Sequence, residues 1–220
     1  MKVTLHHLDD SRSQRILWLL EELEVDYAIE RYQRDENMRA PASLRKVHPL
    51  GKSPALEIDG RVYAETGAVV ETIIDHFGDG RMRPSTDSDD FDRYRYFLHY
   101  AEGSLMPPLL VKLIMGQVRA APVPFFLKPV VKKIASTVDG NFTNAELERN
   151  FSFLNQELEG REWFAGELSG ADIMLSFPIE AAAGRADLTP YANVTSFIER
   201  VHARPAYQRA LEKGGEYSYA

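Results

Sequence analysis

Residues Leu8–Leu23 read LDDSRSQRILWLLEEL, a polar entry followed by an apolar run with helical spacing. Ile16, Leu19, Leu20 and Leu23 fall at i, i+3, i+4 and i+7, and Asp9, Asp10 and Ser11 before them supply N-cap chemistry. Upstream, Lys2–Leu8 places Val3 and Leu5 on one face and reads as a strand. Downstream, Tyr27–Gln33 reads as a second strand and Pro41–Val47 as a short helix or turn. His48–Pro54 follows as a loop shaped by Pro49, Gly51 and Pro54. Ala55–Ile58 and Arg61–Ala64 flank Asp59-Gly60, a strong hairpin signal. A helix then starts at Thr66, buries Val69, Val70, Ile73, Ile74 and Phe77, and stops at Gly78. The element order is βαβ, then ββα.

Beyond this unit the pattern changes. Gly78–Asp90 is rich in Gly, Ser and Asp, has no apolar periodicity and reads as a linker. Everything after it reads as helical: Phe91–Leu113, Pro129–Glu159 with Leu147, Phe151, Leu154 and Leu158 on one face, Ala171–Ala183, and Pro190–His202. Pro107, Pro108, Pro122 and Pro124 should bend or interrupt the middle helices. The expected organisation is a domain over residues 1–78, a linker over 79–90 and an all-helical domain over 91–220.

Composition removes several function classes. The chain has no cysteine, so it offers no disulfide framework and no thiol of its own, and any sulfur chemistry must come from a ligand. A formal net charge of -7 weighs against a nucleic-acid groove or an anionic membrane surface. The polar N-terminus lacks the apolar core of a secretory signal, and no run approaches the roughly 20 apolar residues of a membrane span. A cytoplasmic location is expected. The six histidines have no metal-ligand spacing, and no metal is expected. Ser169 and Asp172 read as a helix cap with a folding role.

Architecture alone does not select a function. The order and spacing of LDDSRSQRILWLLEEL, HPLGKSPAL (His48–Leu56) and AETGAVVETI (Ala64–Ile73) resemble the cytosolic glutathione S-transferase family, and its serine-type fungal and bacterial members in flavour. The resemblance continues through Trp163–Gly166, Ser169–Asp172, Ile198–Arg200 and Arg204–Ala206, and so spans nearly the whole chain. It implies a thioredoxin-like α/β N-terminal domain with a mixed four-stranded sheet, followed by an all-α C-terminal domain. It also implies a homodimer and a transferase that joins glutathione to a small hydrophobic electrophile, in the manner of detoxification enzymes.

The same resemblance assigns residues. Ser11, on its own a helix cap, becomes the group that activates the glutathione thiol. It stands four residues before Arg15, as in the Ser-x-x-x-Arg arrangement of serine-type relatives, and Ser13 remains its rival. Where tyrosine-type members carry their tyrosine this chain has His6-His7, and cysteine-type chemistry is excluded. Ser53 would pair its backbone with the cysteinyl part of glutathione beside a cis Pro54, Lys52 would meet the glycyl carboxylate, and Thr66 and Glu65 would take the γ-glutamyl carboxylate and ammonium. Each also reads plainly as a loop or cap residue. Tyr94, Tyr100, Met106 and Met115 are the candidates for the electrophile site, although aromatic and Met residues at helical spacing commonly form core. Glutathione-dependent reduction of hydroperoxides uses the same residues and stays open, as does a non-catalytic relative, against which the intact residue set argues.

Overall fold

In the computed structural model, which describes residues Met1–Ala220, the central strand β1 (Val3–Leu8) runs parallel to β2 (Ala28–Tyr32) and antiparallel to β3 (Ala55–Ile58). β3 pairs antiparallel with β4 (Arg61–Ala64), giving the sheet order β2-β1-β3-β4. The hairpin turns on Asp59 and Gly60 with φ of 48° and 86°, the left-handed pair that Asp-Gly accommodates. β1 is covered on both faces, so His6 and His7 are buried along with Val3 and Leu5.

Helix α1 (Ser13–Glu22) connects β1 to β2, α2 (Leu44–Val47) precedes β3, and α3 (Thr66–Phe77) follows β4. Periodicity predicted one buried face on α1, yet Ser13–Glu21 are buried throughout. The reason is that α1 lies between β1, α3 and the two helices α8 (Gly170–Ala183) and α10 (Pro205–Gly214). α3 ends where expected, although Gly78 is right-handed (φ -66°) rather than a left-handed cap. Its lack of a side chain matters for packing, since a Cβ there would lie 2.5 Å from the Ile74 carbonyl oxygen.

The segment read as a linker is anchored. Met82 is buried, its carbonyl accepts the Gly170 amide at 2.8 Å, and Arg81 donates to the Leu23 carbonyl at 3.3 Å. The remaining helices are α4 (Asp89–Tyr100), α5 (Met106–Ala120), α6 (Lys128–Val138), α7 (Asn144–Glu157), α8, α9 (Ala192–His202) and α10. Pro107 and Pro108 do not interrupt the path as expected. A π-helical turn over Ala101–Leu105 widens the backbone ahead of them, and they occupy the first turn of α5, where a missing amide costs nothing. Pro122 and Pro124 do mark the break between α5 and α6.

α8 runs through the centre of the helical half and is buried on every side from Gly170 to Ala182. Its N-terminus carries the expected capping box: the Ser169 hydroxyl accepts from Ala171, and Asp172 accepts from the Ser169 amide at 2.8 Å and from Phe164 at 2.9 Å. α10 lay outside the sequence reading, which ended its helices at His202. Pro205 opens it, and Ala206, Tyr207 and Ala210 form the face buried against α1, with Tyr207 edge-on to Trp18. No helix is long and apolar enough to cross a membrane.

Candidate functional site

The turn from β1 into α1 sets the first wall of a cleft of about 470 Å³. Asp10 takes a positive φ of 50° and delivers the chain to Ser11, whose Oγ accepts the Ser13 amide at 3.2 Å while its carbonyl accepts the Gln14 amide at 3.1 Å. Ser11 therefore braces the turn that enters α1, and it also lines the cleft. Ser13 sits one layer behind, fully enclosed. Its Oγ lies 2.8 Å from Ser11 Oγ and 2.8 Å from His7 Nδ1, and it accepts the Leu8 amide at 3.2 Å. Burial first, and then the Arg31 charge, lower His7 from 6.5 to about 4, so its imidazole is neutral near pH 7.

The second wall is the loop before β3. Ser53-Pro54 is a cis peptide, as expected, and both residues line the cleft. Ser53 Oγ ties this loop to β1, donating to the His6 carbonyl at 3.1 Å and accepting from Leu8 at 3.3 Å. The backbone N–H and C=O of Ser53 take no part in the chain's own hydrogen bonding. Lys52 is exposed at the rim.

The third wall is the N-terminus of α3. Glu65 adopts φ 69°, ψ 122°, an uncommon conformation for a side chain of its size, at the entrance to the helix. The ladder begins with Val69 donating to the Glu65 carbonyl, which leaves the amides of Thr66, Gly67 and Ala68 without an intrahelical acceptor. Thr66 is buried at this terminus and no side chain caps it. Ser11, Lys52, Ser53, Pro54, Glu65 and Thr66 are thus brought together in one cleft.

The opposite wall comes from the helical half and contains residues that the sequence reading missed: Glu102, Leu110 and Phe177, with Arg12, Arg34 and His48 from the sheet half. Glu102 accepts both Arg12 Nε contacts at 3.0 and 3.1 Å and pairs with the buried Arg15. Burial pushes the Glu102 carboxyl up, but the two guanidinium groups outweigh it and hold it below the usual carboxylate range. Both arginines also lie over the Phe177 ring, at 5.7 and 5.5 Å. Arg34 donates to the Asp9 and Asp10 carbonyls and fixes the loop beside Ser11. Nothing in local patterning marked these residues, because their partners lie in distant parts of the sequence.

The four residues expected at the electrophile site lie elsewhere. Tyr94 is buried and stacks on Phe91, Met106 is buried in the core, and Tyr100 bonds Asn150 in a separate surface groove of α4 and α7. Met115 is half-buried on α5 and does not line the cleft. Helical spacing alone does not distinguish the face that meets the cleft from the faces that meet α7 and α8.

A mixed sheet whose central strand runs into a helix N-terminus, beside a cis-proline loop, defines a thioredoxin-like protein with an attached helical half. The family model described as "Glutathione S-transferase, N-terminal domain" matches residues 11–76. Glutathione S-transferase 1 of Saccharomyces cerevisiae is 35% identical over 96% of this chain and 94% of its own length. Glutathione S-transferase 3 of Schizosaccharomyces pombe is 34% identical over 96% of this chain and 87% of its own. Among solved structures, a glutathione S-transferase from Actinobacillus pleuropneumoniae superposes with a TM-score of 0.79 at 32% identity, covering 96% of this chain and 92% of that one. The chain belongs to the glutathione S-transferase family.

Proposed function

We propose that the protein is a glutathione transferase in which Ser11 stabilises the glutathione thiolate for attack on a hydrophobic electrophile. The observation that carries this reading is the shared cleft: a hydroxyl at the N-terminus of α1 faces the same space as Ser53, cis Pro54 and the open N-terminus of α3.

Glutathione fits that donor set. Its cysteinyl amide groups match the free N–H and C=O of Ser53, in strand-like pairing. Its γ-glutamyl carboxylate matches the Thr66 hydroxyl and the unpaired amides of α3, and Glu65 matches the ammonium beside it. Lys52 at the rim suits the glycyl carboxylate. In that pose the thiol meets Ser11.

The energetics are adequate. A free thiol ionises near a pKa of about 8.5, and each unit of depression requires about 1.4 kcal/mol of preference for the anion. A hydroxyl donating to a charged group contributes about 1.5–3 kcal/mol, and a helix N-terminus about 0.3–1 kcal/mol. Together they are sufficient to lower the thiol by about 1.3–2.9 units. The Arg12, Arg15 and Glu102 cluster adds one net positive charge beside the site. Leu110 and Phe177 on the facing wall suit an apolar second substrate, which would then be held against the thiolate.

Homodimeric assembly, a cytoplasmic location and a role in detoxification complete the proposal, following the family resemblance. The test is conjugation of glutathione to an activated aryl halide, together with glutathione binding at millimolar concentration. Turnover that depends on Ser11 supports the reading; failure to bind glutathione overturns it.

A further inference from the structure

Behind Ser11 lies a buried chain of three side chains whose hydrogen order is determined by its inner end. The Gly214 backbone at the end of α10 favours protonation of His7, and with Nδ1 engaged by Ser13 the proton of the neutral ring is assigned to Nε2. The neutral ring then presents Nδ1 as an acceptor, 2.8 Å from Ser13 Oγ. Ser13 has one hydroxyl proton. It could go to His7, to the Leu8 carbonyl at 3.3 Å, or to Ser11 Oγ at 2.8 Å, but only donation to His7 gives the buried Nδ1 a partner. Ser11 must then donate to Ser13, because two oxygens 2.8 Å apart need a proton between them.

We propose that His7 and Ser13 are positioning residues that draw the Ser11 hydroxyl proton inward, so that in the resting site Ser11 Oγ faces the thiol as a lone pair and must reverse to donate to the thiolate. The inference rests on Ser11 being the thiol-activating group. Reversal costs a hydrogen bond whichever way it happens. Either Ser11 leaves Ser13, or His7 shifts its proton to Nδ1, away from the Gly214 backbone that favours it on Nε2. The chain therefore holds the bound thiol less acidic than Ser11 alone would make it. Near neutral pH the ring stays uncharged, because burial and Arg31 on β2 both oppose its protonation. The charged or titratable groups that face Ser11 across the cleft are Asp10, Arg12, Arg34, His48, Lys52, Glu65 and Glu102. All are retained in the variants below.

Ser13→Ala is a clean probe, since the amide that anchors Ser11 Oγ belongs to the backbone and survives. The measurement is the thiolate absorbance of enzyme-bound glutathione against pH, with the pH profile of kcat/KM beside it and thermal melting to verify folding. The bound thiol should titrate about half a unit to one unit lower in Ser13→Ala than in the wild type, the equivalent of one ordinary hydrogen bond. His7→Phe, which removes the terminal acceptor, should shift it the same way, and Ser13→Thr, which keeps the hydroxyl, should titrate like the wild type. An unchanged or higher pKa in folded Ser13→Ala, or an unchanged pKa in His7→Phe, overturns the proposal. Failure of the underlying reading is visible separately, as a Ser11→Ala variant that titrates like the wild type.

Discussion

Ser11 and Ser13 stand two residues apart in one turn, and exposure separates them: Ser11 lines the cleft and Ser13 is enclosed behind it. Ser11→Ala should therefore lower turnover about 100-fold, the usual consequence of removing one donor to a developing anion. The apparent KM for glutathione should change far less, because Ser53 and Thr66 would hold the rest of the molecule. Steady-state kinetics with an aryl halide checks both. His7 supplies a stability prediction. Its folded pKa of about 4 lies below its ordinary 6.5, so the native state binds fewer protons than the unfolded chain between those values. The stability it confers is complete above about pH 6.5 and is lost as pH falls toward 4. Urea midpoints measured from pH 7 to 4 should fall less steeply in His7→Phe than in the wild type. In the sequence the family resemblance favours Ser11, four residues before Arg15, and leaves Ser13 as its rival, since LDDSRSQ alone does not reveal which hydroxyl the turn at Asp10 directs outward.

At the scale of elements, the motifs legible in sequence were those whose physics is local. The Asp59-Gly60 hairpin, the amphipathic α3 and the Ser169–Asp172 box each depend on residues within one turn of one another, and all three stand in the structure. Asp172 extends its reach to Phe164, and burial raises it from 3.8 to about 6 against three hydrogen bonds that favour the anion. The sign is opposite to that of His7. A carboxyl whose folded pKa is raised adds stability that is present below about 3.8 and lost as pH rises through about 6. Asp172→Asn should remove that slope while costing about 1–3 kcal/mol, because the amides of Phe164 and Ser169 lose a charged acceptor. Equilibrium unfolding at pH 4 and pH 7 separates the two effects. Elements that sequence misjudged depended on a distant partner or on an irregular backbone turn. α10 needed α1 to bury Tyr207, and Pro107 and Pro108 needed a π-helical turn that no residue pattern announced.

At the scale of the whole molecule, the two halves meet across the cleft through Glu102, which receives Arg12 from the turn before α1 and Arg15 from α1. Arg15 is buried and its Nε has no partner, so losing Glu102 would leave a desolvated charge with only the Met174 carbonyl to accept from it. Glu102→Ala should cost about 3 kcal/mol in a denaturant melt, and it should weaken catalysis by loosening the wall that carries Leu110 and Phe177. This wall is also where sequence and structure differ most, since Tyr94, Tyr100, Met106 and Met115, expected at the electrophile site, do not line this cleft. Residues of the wall proposed to hold glutathione were legible because they cluster in short motifs of the sheet half. Those of the facing wall come from three separated segments and acquire meaning only when the chain is folded. Thiol activation is the step on which the proposed function depends. The most direct test is an ultraviolet titration of glutathione bound to the wild-type enzyme and to Ser11→Ala: the bound thiol should titrate clearly below the free value of about 8.5 in the wild type and return most of the way in the variant. A wild-type complex that titrates like free glutathione, or a variant that titrates like the wild type, would contradict it.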